Sequence, residues 1–294
     1  MLGPMSEMRA TTTSDHRDHA DHGSTGPATT HVVLVPGFWL GAWAWGDVVD
    51  RLREHGLDPL AVTLPGLEPD HPDRGSVTLD DHVRAVEHAM AHAPEGAATV
   101  LVAHSGAAVP ATVALDRHVD QVAHVVWVDT APVVDGYAMD PQVEGAEHPL
   151  SAQWDDELEQ GSMSGLSEEQ LSTFRERAVP QPAATLREAV TLADDRRLDV
   201  PGTVVCTAFS ADDYRTYAEQ GAPFLAGILE HRALELVDLP TGHWPMWSEP
   251  GRLADLVADR ATSAMSAAAG SDGSDGSGGS GGIGDGSGDD ERDV

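Results

Sequence analysis

The stretch TVLVAHSGAAVPATVALD, residues 99–116, joins an apolar run rich in β-branched residues directly to a run of small residues with helical character. Ser105 lies at the junction of the two runs. A nucleophilic serine on a sharp strand-to-helix turn needs this context, because the turn exposes its Oγ above the sheet. The same letters also fit an ordinary turn, since a short pattern recurs by chance. The stretch predicts a strand, a tight turn and a helix, with Ser105 as a candidate nucleophile.

The residues that flank Ser105 at a distance of two positions must be small, because the backbone of a nucleophile in such a turn is strained. Here they are Ala103 and Ala107, where glycine is usual. The sequence therefore has the relaxed form of the pattern, small-x-Ser-x-small, which by itself is not specific. His104, directly before the serine, is expected to pack within the turn rather than to titrate in catalysis.

Similar apolar runs recur along the chain and alternate with helical patterns. Runs that are apolar throughout suit strands buried on both faces of a parallel sheet. The predicted strands are HVVLV (31–35), DPLAV (58–62), ATVLVA (98–103), VAHVVWV (122–128), GTVVCT (202–207) and ALELVDL (233–239). Alternation of strand and helix predicts an α/β fold, with a mostly parallel sheet and helices on both of its faces.

A helix is predicted between the second and third strands, beginning after Thr78, whose hydroxyl can cap it. Its apolar residues recur at helical spacing and form one stripe. Three histidines lie on or just after this helix, namely His82, His88 and His92. We expect all three to be solvated, so none of them is a candidate base.

Residues 135–198 lack a convincing strand but contain amphipathic pieces such as SEEQLSTFRERA and PAATLREAVTLA. An insertion between two strands of a parallel sheet can lie over their carboxyl ends. We therefore predict a helical lid at 135–198 on an α/β core formed by 31–134 and 199–263. The flanking segments, an acidic and histidine-containing 1–30 and a Gly/Ser/Asp-rich 264–294, are expected to be disordered because little in them can be buried.

The charge balance limits the partners. Acidic residues outnumber basic ones by 49 to 17, the formal net charge is −32, and every one of the 17 is arginine. Such a chain repels nucleic acid and anionic membrane surfaces, so neither is an expected partner. The acidity is typical of a well-solvated surface and also of adaptation to high salt, and both interpretations stay open.

Cysteine usage and the first residues bear on the compartment. The single cysteine, Cys206, cannot form an internal disulfide, so nothing indicates an oxidising environment. The first residues lack the apolar run that a secretory signal or a membrane anchor requires. A cytoplasmic location is therefore expected.

Two further stretches strengthen the case for Ser105. VPGFWLGAWAW follows the first predicted strand, where Gly37 lets the chain turn and the Phe38 N–H could point to the same place as the Gly106 N–H. Two such donors can form an oxyanion hole for a tetrahedral intermediate. LPTGHWPMWSEPGRLADLV follows the last predicted strand and puts His243 on a loop at its carboxyl end. A histidine there can reach Ser105 as a general base.

These motifs resemble the α/β-hydrolase superfamily, and the resemblance covers residues 31–262. PGFWLGAWAW, AHSGAA and TGHWPMWSEP are similar to the oxyanion, nucleophile and histidine motifs of its small serine esterase branch, which includes plant methyl esterases and hydroxynitrile lyases. The resemblance implies a serine hydrolase that cleaves a small-molecule carboxylic ester through an acyl-enzyme, with Ser105 as nucleophile and His243 as base. The sequence has no metal-binding cluster or phosphate-binding loop motif, so no cofactor is expected.

A base histidine also needs an acidic partner that fixes its tautomer and stabilises the imidazolium. In the family this acid usually follows the seventh strand, but VVCTAFSADDY puts Ser210 at that position and Asp212 and Asp213 just beyond it. The alternative is Asp129, at the end of HVVWVD, which resembles the arrangement in haloalkane dehalogenases. Asp129 is favoured over Asp212, although an aspartate there can also simply cap the following turn.

A serine nucleophile excludes the epoxide hydrolase and dehalogenase chemistries of the superfamily, which need a carboxylate in its place. Two other function classes stay open. A lyase of the hydroxynitrile-lyase type would use the same residues as a base, but that branch tends to need a lysine near the site and this chain has none. A non-catalytic ligand-binding protein could retain the same fold. A fluorogenic ester assay would separate both from an esterase.

Overall fold

The computed structural model describes residues 30–271, and the expectations for residues 1–29 and 272–294 lie outside the described residues. Eight strands occur within the described part. They are β1 (His31–Val35), β2 (Asp58–Ala61), β3 (Thr99–His104), β4 (Val122–Val128), β5 (Glu147–His148), β6 (Gln181–Pro182), β7 (Gly202–Cys206) and β8 (Leu234–Asp238).

Six of these strands form a parallel sheet in the order β2-β1-β3-β4-β7-β8, while β5 and β6 pair antiparallel with each other. Every residue of β1, β3 and β7 is buried, as expected for strands covered on both faces. Each of the six predicted strands is present, and its ends differ from the prediction by one residue at most.

Helices cover both faces of the sheet. The α-helices of residues 30–271 are α1 (Gly46–Glu54), α2 (Leu79–Met90), α3 (Ala108–Arg117), α4 (Trp154–Glu159), α5 (Glu168–Arg177), α6 (Ala184–Arg187), α7 (Ala211–Glu219), α8 (Gly227–Glu230), α9 (Pro245–Ser248) and α10 (Pro250–Ser271). The residues of α1 and α10 pack on one face of the sheet, and those of α2 and α3 pack on the other. The predicted fold class is confirmed.

Alternate residues of a strand belong to two separate hydrophobic cores, because successive side chains of a strand point to opposite faces of the sheet. Val33 belongs to the cluster that includes Val83 of α2, whereas its neighbour Val32 belongs to the cluster that includes Leu253 of α10. Fully burying one such side chain stabilises the fold by about 1.5–3 kcal/mol. The two cores fix the carboxyl edge of the sheet, to which the loops of the site are attached.

The helix after Thr78 is present as predicted, but one of its histidines is buried where an exposed side chain was expected. Thr78 forms a capping box with Asp81, which confirms the predicted cap. His88 and His92 are exposed, whereas His82 is buried and its Nε2 lies 2.8 Å from the Pro65 carbonyl oxygen. The expectation that His82 is solvated was therefore wrong. Burial lowers the pKa of His82 to about 4, so it donates to the carbonyl as a neutral ring.

Residues 135–198, the inserted segment, contain the helices α4, α5 and α6, which are joined by turns and irregular loops. The prediction of no strand there was wrong in one detail, because β5 and β6 pair within it. Strands of two residues leave no periodic pattern to detect. The segment is tied to the core where the Asp116 carboxylate accepts the backbone N–H groups of Ala193 and Asp194. Its action as a lid stays a prediction.

The last helix, α10, continues to Ser271, so the predicted start of the C-terminal tail at residue 264 was too early. Ala261 and Ala264 are buried against the rest of the protein. Alanine has the highest helix propensity, which extends the helix up to the Gly/Ser/Asp-rich region. None of the helices in residues 30–271 is long and apolar enough to cross a membrane.

Candidate active site

Ser105 lies at the carboxyl end of β3 and begins a short 3₁₀ turn, Ser105–Ala107, that leads into α3. Its φ of 52° is in the left-handed region, which non-glycine residues rarely adopt. Ala103 and Ala107 are buried on either side of it, so larger residues there would collide with the sheet and the helix. The strained turn leaves the Ser105 side chain half-buried at the edge of the sheet.

His243 reaches Ser105 from the loop between β8 and α9. Its Nε2 lies 2.8 Å from the Ser105 Oγ. Its backbone N–H donates to the Ser162 carbonyl at 2.7 Å, and its own carbonyl lies 2.7 Å from the His104 Nε2. A carbonyl only accepts, so the His104 Nε2 carries the proton of that hydrogen bond. The backbone of His243 is thus held by the inserted segment on one side and by the serine turn on the other.

The contact with the inserted segment is close because Gly242 precedes the histidine. A Cβ added at Gly242 would overlap the backbone of Ser162 and Ser164. The glycine therefore allows the histidine loop to lie directly against the inserted segment. This contact was not predicted, because it is made by backbone groups that every residue possesses.

Asp129 follows β4 and also has a left-handed φ, 47°. Its Oδ2 lies 2.5 Å from the His243 Nδ1. Its Oδ1 accepts hydrogen bonds from the backbone N–H groups of Thr207 (3.1 Å) and Ala208 (3.3 Å) and from the Tyr214 hydroxyl (2.7 Å). Only 4% of the Asp129 side chain is exposed. The structure therefore brings together Ser105, His243 and Asp129 in one hydrogen-bonded line.

Asp212 lies elsewhere, on the first turn of α7. Its side chain is 96% exposed and forms an ion pair with Arg215 at 3.1 Å. Ser210 caps α7 through a capping box with Asp213, so this part of the sequence serves to start the helix. Of the two acids that the sequence offers, the structure places Asp129 at the histidine.

The electrostatics of the pair favour a charged aspartate beside a basic histidine. Burial raises the pKa of Asp129, but the hydrogen bond and charge of His243 and the hydrogen bonds from Tyr214 and Thr207 outweigh it, and the pKa is well below its usual range. Burial lowers the pKa of His243, but its hydrogen bond to Asp129 and the charge of Asp129 outweigh that, and the pKa is raised. A proton taken up by the pair therefore resides on His243.

His104 is a neutral packing residue, consistent with the expectation for it. It is fully buried, and burial together with the neighbouring His243 lowers its pKa to about 3. Its single proton is committed to the His243 carbonyl, and its Nδ1 has no hydrogen-bond partner among the described residues. His104 therefore cannot act as the base that accepts the serine proton.

The loops that follow β1 and β3 pack closely against each other. A Cβ added at Gly37 would lie 2.8 Å from the His104 Nδ1 and 3.0 Å from the Ser105 Cβ, and one added at Gly106 would overlap the ring of Phe38. Phe38 and Gly106, predicted to supply the oxyanion-hole N–H groups, are thus neighbours beside the serine. Their role stays a prediction.

Tyr214 is a second part of this arrangement that was not predicted from the sequence. It lies on the buried face of α7 with Ala211 and Ala218. This spacing is typical of a core-facing helix and is the one signal that the sequence offers. No three His, Cys, Asp or Glu side chains in residues 30–271 are grouped so that they could hold a metal ion.

Comparison with known proteins agrees with the fold. Residues 32–256 match the model of the alpha/beta hydrolase family, and the chain belongs to this family. It is 32% identical over 105 residues to putative methylesterase 14, chloroplastic, of Arabidopsis thaliana, covering 35% of this chain and 30% of that protein. It is 34% identical over 100 residues to the probable esterase PIR7A of Oryza sativa subsp. indica, covering 33% and 38%.

These two curated relatives are matched over only about a third of their length. Among solved structures, the methylesterase MES16 from Arabidopsis superposes with a TM-score of 0.62 at 20% identity, covering 80% of this chain and 99% of that one. At this identity the likeness establishes the shared fold, and the chemistry must be argued from the site.

Proposed function

We propose that the protein is a cofactor-free serine hydrolase that cleaves a small-molecule carboxylic ester, with Ser105 as nucleophile, His243 as general base and acid, and Asp129 as the acidic partner. The observation that carries this proposal is the line of contacts from the Ser105 Oγ to the His243 Nε2 (2.8 Å) and from the His243 Nδ1 to the Asp129 Oδ2 (2.5 Å). The names of the similar proteins, methylesterase and esterase, support an ester as the substrate.

The reaction would proceed through an acyl-enzyme. His243 takes the hydroxyl proton as the Ser105 Oγ attacks the ester carbonyl carbon, and the negative charge on the carbonyl oxygen is stabilised by the N–H groups of Phe38 and Gly106. The imidazolium, stabilised by Asp129, then gives its proton to the leaving alcohol. Water, deprotonated by His243, attacks the acyl-enzyme and releases the acid and the free serine.

The direct test is a panel of p-nitrophenyl esters of increasing acyl length, together with a fluorophosphonate probe analysed by intact mass and peptide mapping. Hydrolysis of at least one ester and a single adduct on Ser105 are expected, because the serine is half-buried and next to its base. Folded protein that hydrolyses no ester and forms no adduct would contradict the proposal and favour the non-catalytic ligand-binding alternative.

The pH dependence of kcat/KM should have an acid limb above pH 6.5, the ordinary pKa of histidine, because the pKa of His243 is raised. Only neutral His243 can accept the serine proton, and a raised pKa keeps it protonated to higher pH, so activity is lost earlier on acidification. A kcat/KM profile, with circular dichroism over the same range to exclude unfolding, measures the limb. An acid limb below pH 6.5 would show that another group controls the reaction.

Gly106→Ala should lower kcat by about 100-fold or more, the effect typical of losing one oxyanion-hole donor. The added Cβ would overlap the ring of Phe38, so the two N–H groups could no longer converge. Gly46→Ala at the start of α1 is the matched control, because its added Cβ meets nothing within 4 Å. If Gly106→Ala stays folded and keeps activity within about threefold of wild type, the predicted oxyanion hole is wrong.

A further inference from the structure

The two oxygens of the Asp129 carboxylate contact different groups. Among residues 30–271, Oδ2 is hydrogen-bonded to His243 alone, whereas Oδ1 accepts hydrogen bonds from the N–H groups of Thr207 and Ala208 and from the Tyr214 hydroxyl. The hydrogen bond from Tyr214 is the shortest of those to Oδ1, at 2.7 Å. Tyr214 also differs from the other donors because it contributes a side chain, which a substitution can remove.

Tyr214 is itself held in place from two directions. Its helix begins at the Ser210 cap, and the N–H of Ala211 donates to the Asp238 carboxylate at 2.7 Å. Asp238 ends β8, the strand that leads to the loop of His243. Tyr214 as a residue is 4% exposed, and its ring is packed in the hydrophobic core. The donor to Asp129 and the histidine that Asp129 contacts are therefore both positioned from the end of β8.

We infer that Tyr214 is a positioning residue of the proposed Ser-His-Asp arrangement, whose hydroxyl fixes the rotation of the Asp129 carboxylate and offsets part of its negative charge. The inference rests on the proposed function for its effect on catalysis. A carboxylate at the end of a strand can rotate about its Cβ–Cγ bond, and a fixed donor at Oδ1 leaves Oδ2 directed at the His243 Nδ1. Precise orientation of this kind depends on surrounding side chains that hold the reacting groups.

Removal of the Tyr214 hydroxyl should raise the pKa of His243. Without the Tyr214 donor, the full charge of Asp129 faces His243, the imidazolium is stabilised further, and His243 stays protonated to higher pH. The other titratable groups that face the pair are His104 at the end of β3, Glu157 on α4 and Cys206 on β7. These three residues are all kept in Tyr214→Phe. A shift in the pKa of His243 therefore reports on the loss of the tyrosine hydroxyl.

The test compares Tyr214→Phe with Tyr217→Phe, a control on the same helix whose ring packs against Phe209. In Tyr214→Phe the acid limb of kcat/KM should move up by about half a pH unit or more, because a hydrogen bond to a charged group is lost. The plateau kcat should fall by about tenfold with KM within twofold, as expected for a misoriented group that does not bind substrate. Tyr217→Phe should match wild type in both respects.

A second readout does not depend on turnover. The ring resonances of His243 can be titrated by NMR in histidine-labelled protein and assigned by their absence in His243→Gln, and they should titrate at higher pH in Tyr214→Phe than in wild type. If neither the acid limb nor this titration moves upward while only the thermal midpoint falls, Tyr214 has a structural role and the inference is overturned. If wild type hydrolyses no ester, the proposed function fails, and the NMR titration alone still decides the role of Tyr214.

Discussion

Replacing Ser105 by alanine should lower kcat for ester hydrolysis by about 10⁶-fold, the loss typical of removing the nucleophile of a Ser-His-Asp enzyme. The substitution removes the Oγ that lies 2.8 Å from the His243 Nε2 and leaves the histidine and its acid in place. Any residual rate above the reaction in water would come from substrate binding and the oxyanion hole. Initial rates with the best ester of the panel measure the effect.

The matched control is Ser263→Ala, an exposed serine on α10. It should keep full activity and still form the fluorophosphonate adduct, whereas Ser105→Ala should form none. Alanine keeps the Cβ of Ser105 and removes only the Oγ, so the strain of the turn is unchanged and Ser105→Ala should melt within a few degrees of wild type. Hydrolysis within about tenfold of wild type, or an adduct on another residue, would remove Ser105 from the proposed mechanism.

The sheet was predictable because its strands are buried on both faces. A strand such as β3 is buried at every position and is apolar from Val100 to Ala103, so it stands out from the amphipathic helices around it. The short pair β5 and β6 has no such requirement and left no pattern. The tail boundary was misplaced because composition changes gradually from the alanines of α10 to the glycines and serines that follow.

The candidate site was predictable to the extent that local turns position its residues. Ser105 follows a strand, and His243 lies on the loop after another strand, so both could be located from the pattern around them. Tyr214 and Ser162 could not be located in this way, because their contacts with Asp129 and His243 join segments that are distant in the chain. A tyrosine on the buried face of a helix resembles a core residue until its hydroxyl partner is known.

Asp129→Asn should lower kcat by about 10⁴-fold, whereas Asp212→Asn should keep it within about threefold. The asparagine carbonyl can still accept from Thr207, Ala208 and Tyr214, which directs its NH₂ group at the His243 Nδ1. The Nδ1 must then be unprotonated, so the one proton of the neutral ring lies on Nε2. A protonated Nε2 can no longer accept the proton of the serine. Asp212 is exposed on α7 and forms an ion pair with Arg215, so its replacement changes a solvated surface.

The two aspartates thus give opposite expectations from the same chemical change, which makes them controls for each other. Thermal midpoints must show that Asp129→Asn is folded, and its Ser105 should still react slowly with the fluorophosphonate, because the nucleophile is present but poorly activated. A large loss in Asp212→Asn with little change in Asp129→Asn would transfer the acidic role to Asp212. Mild losses in both would contradict the requirement for an acidic partner of His243 in the proposed mechanism.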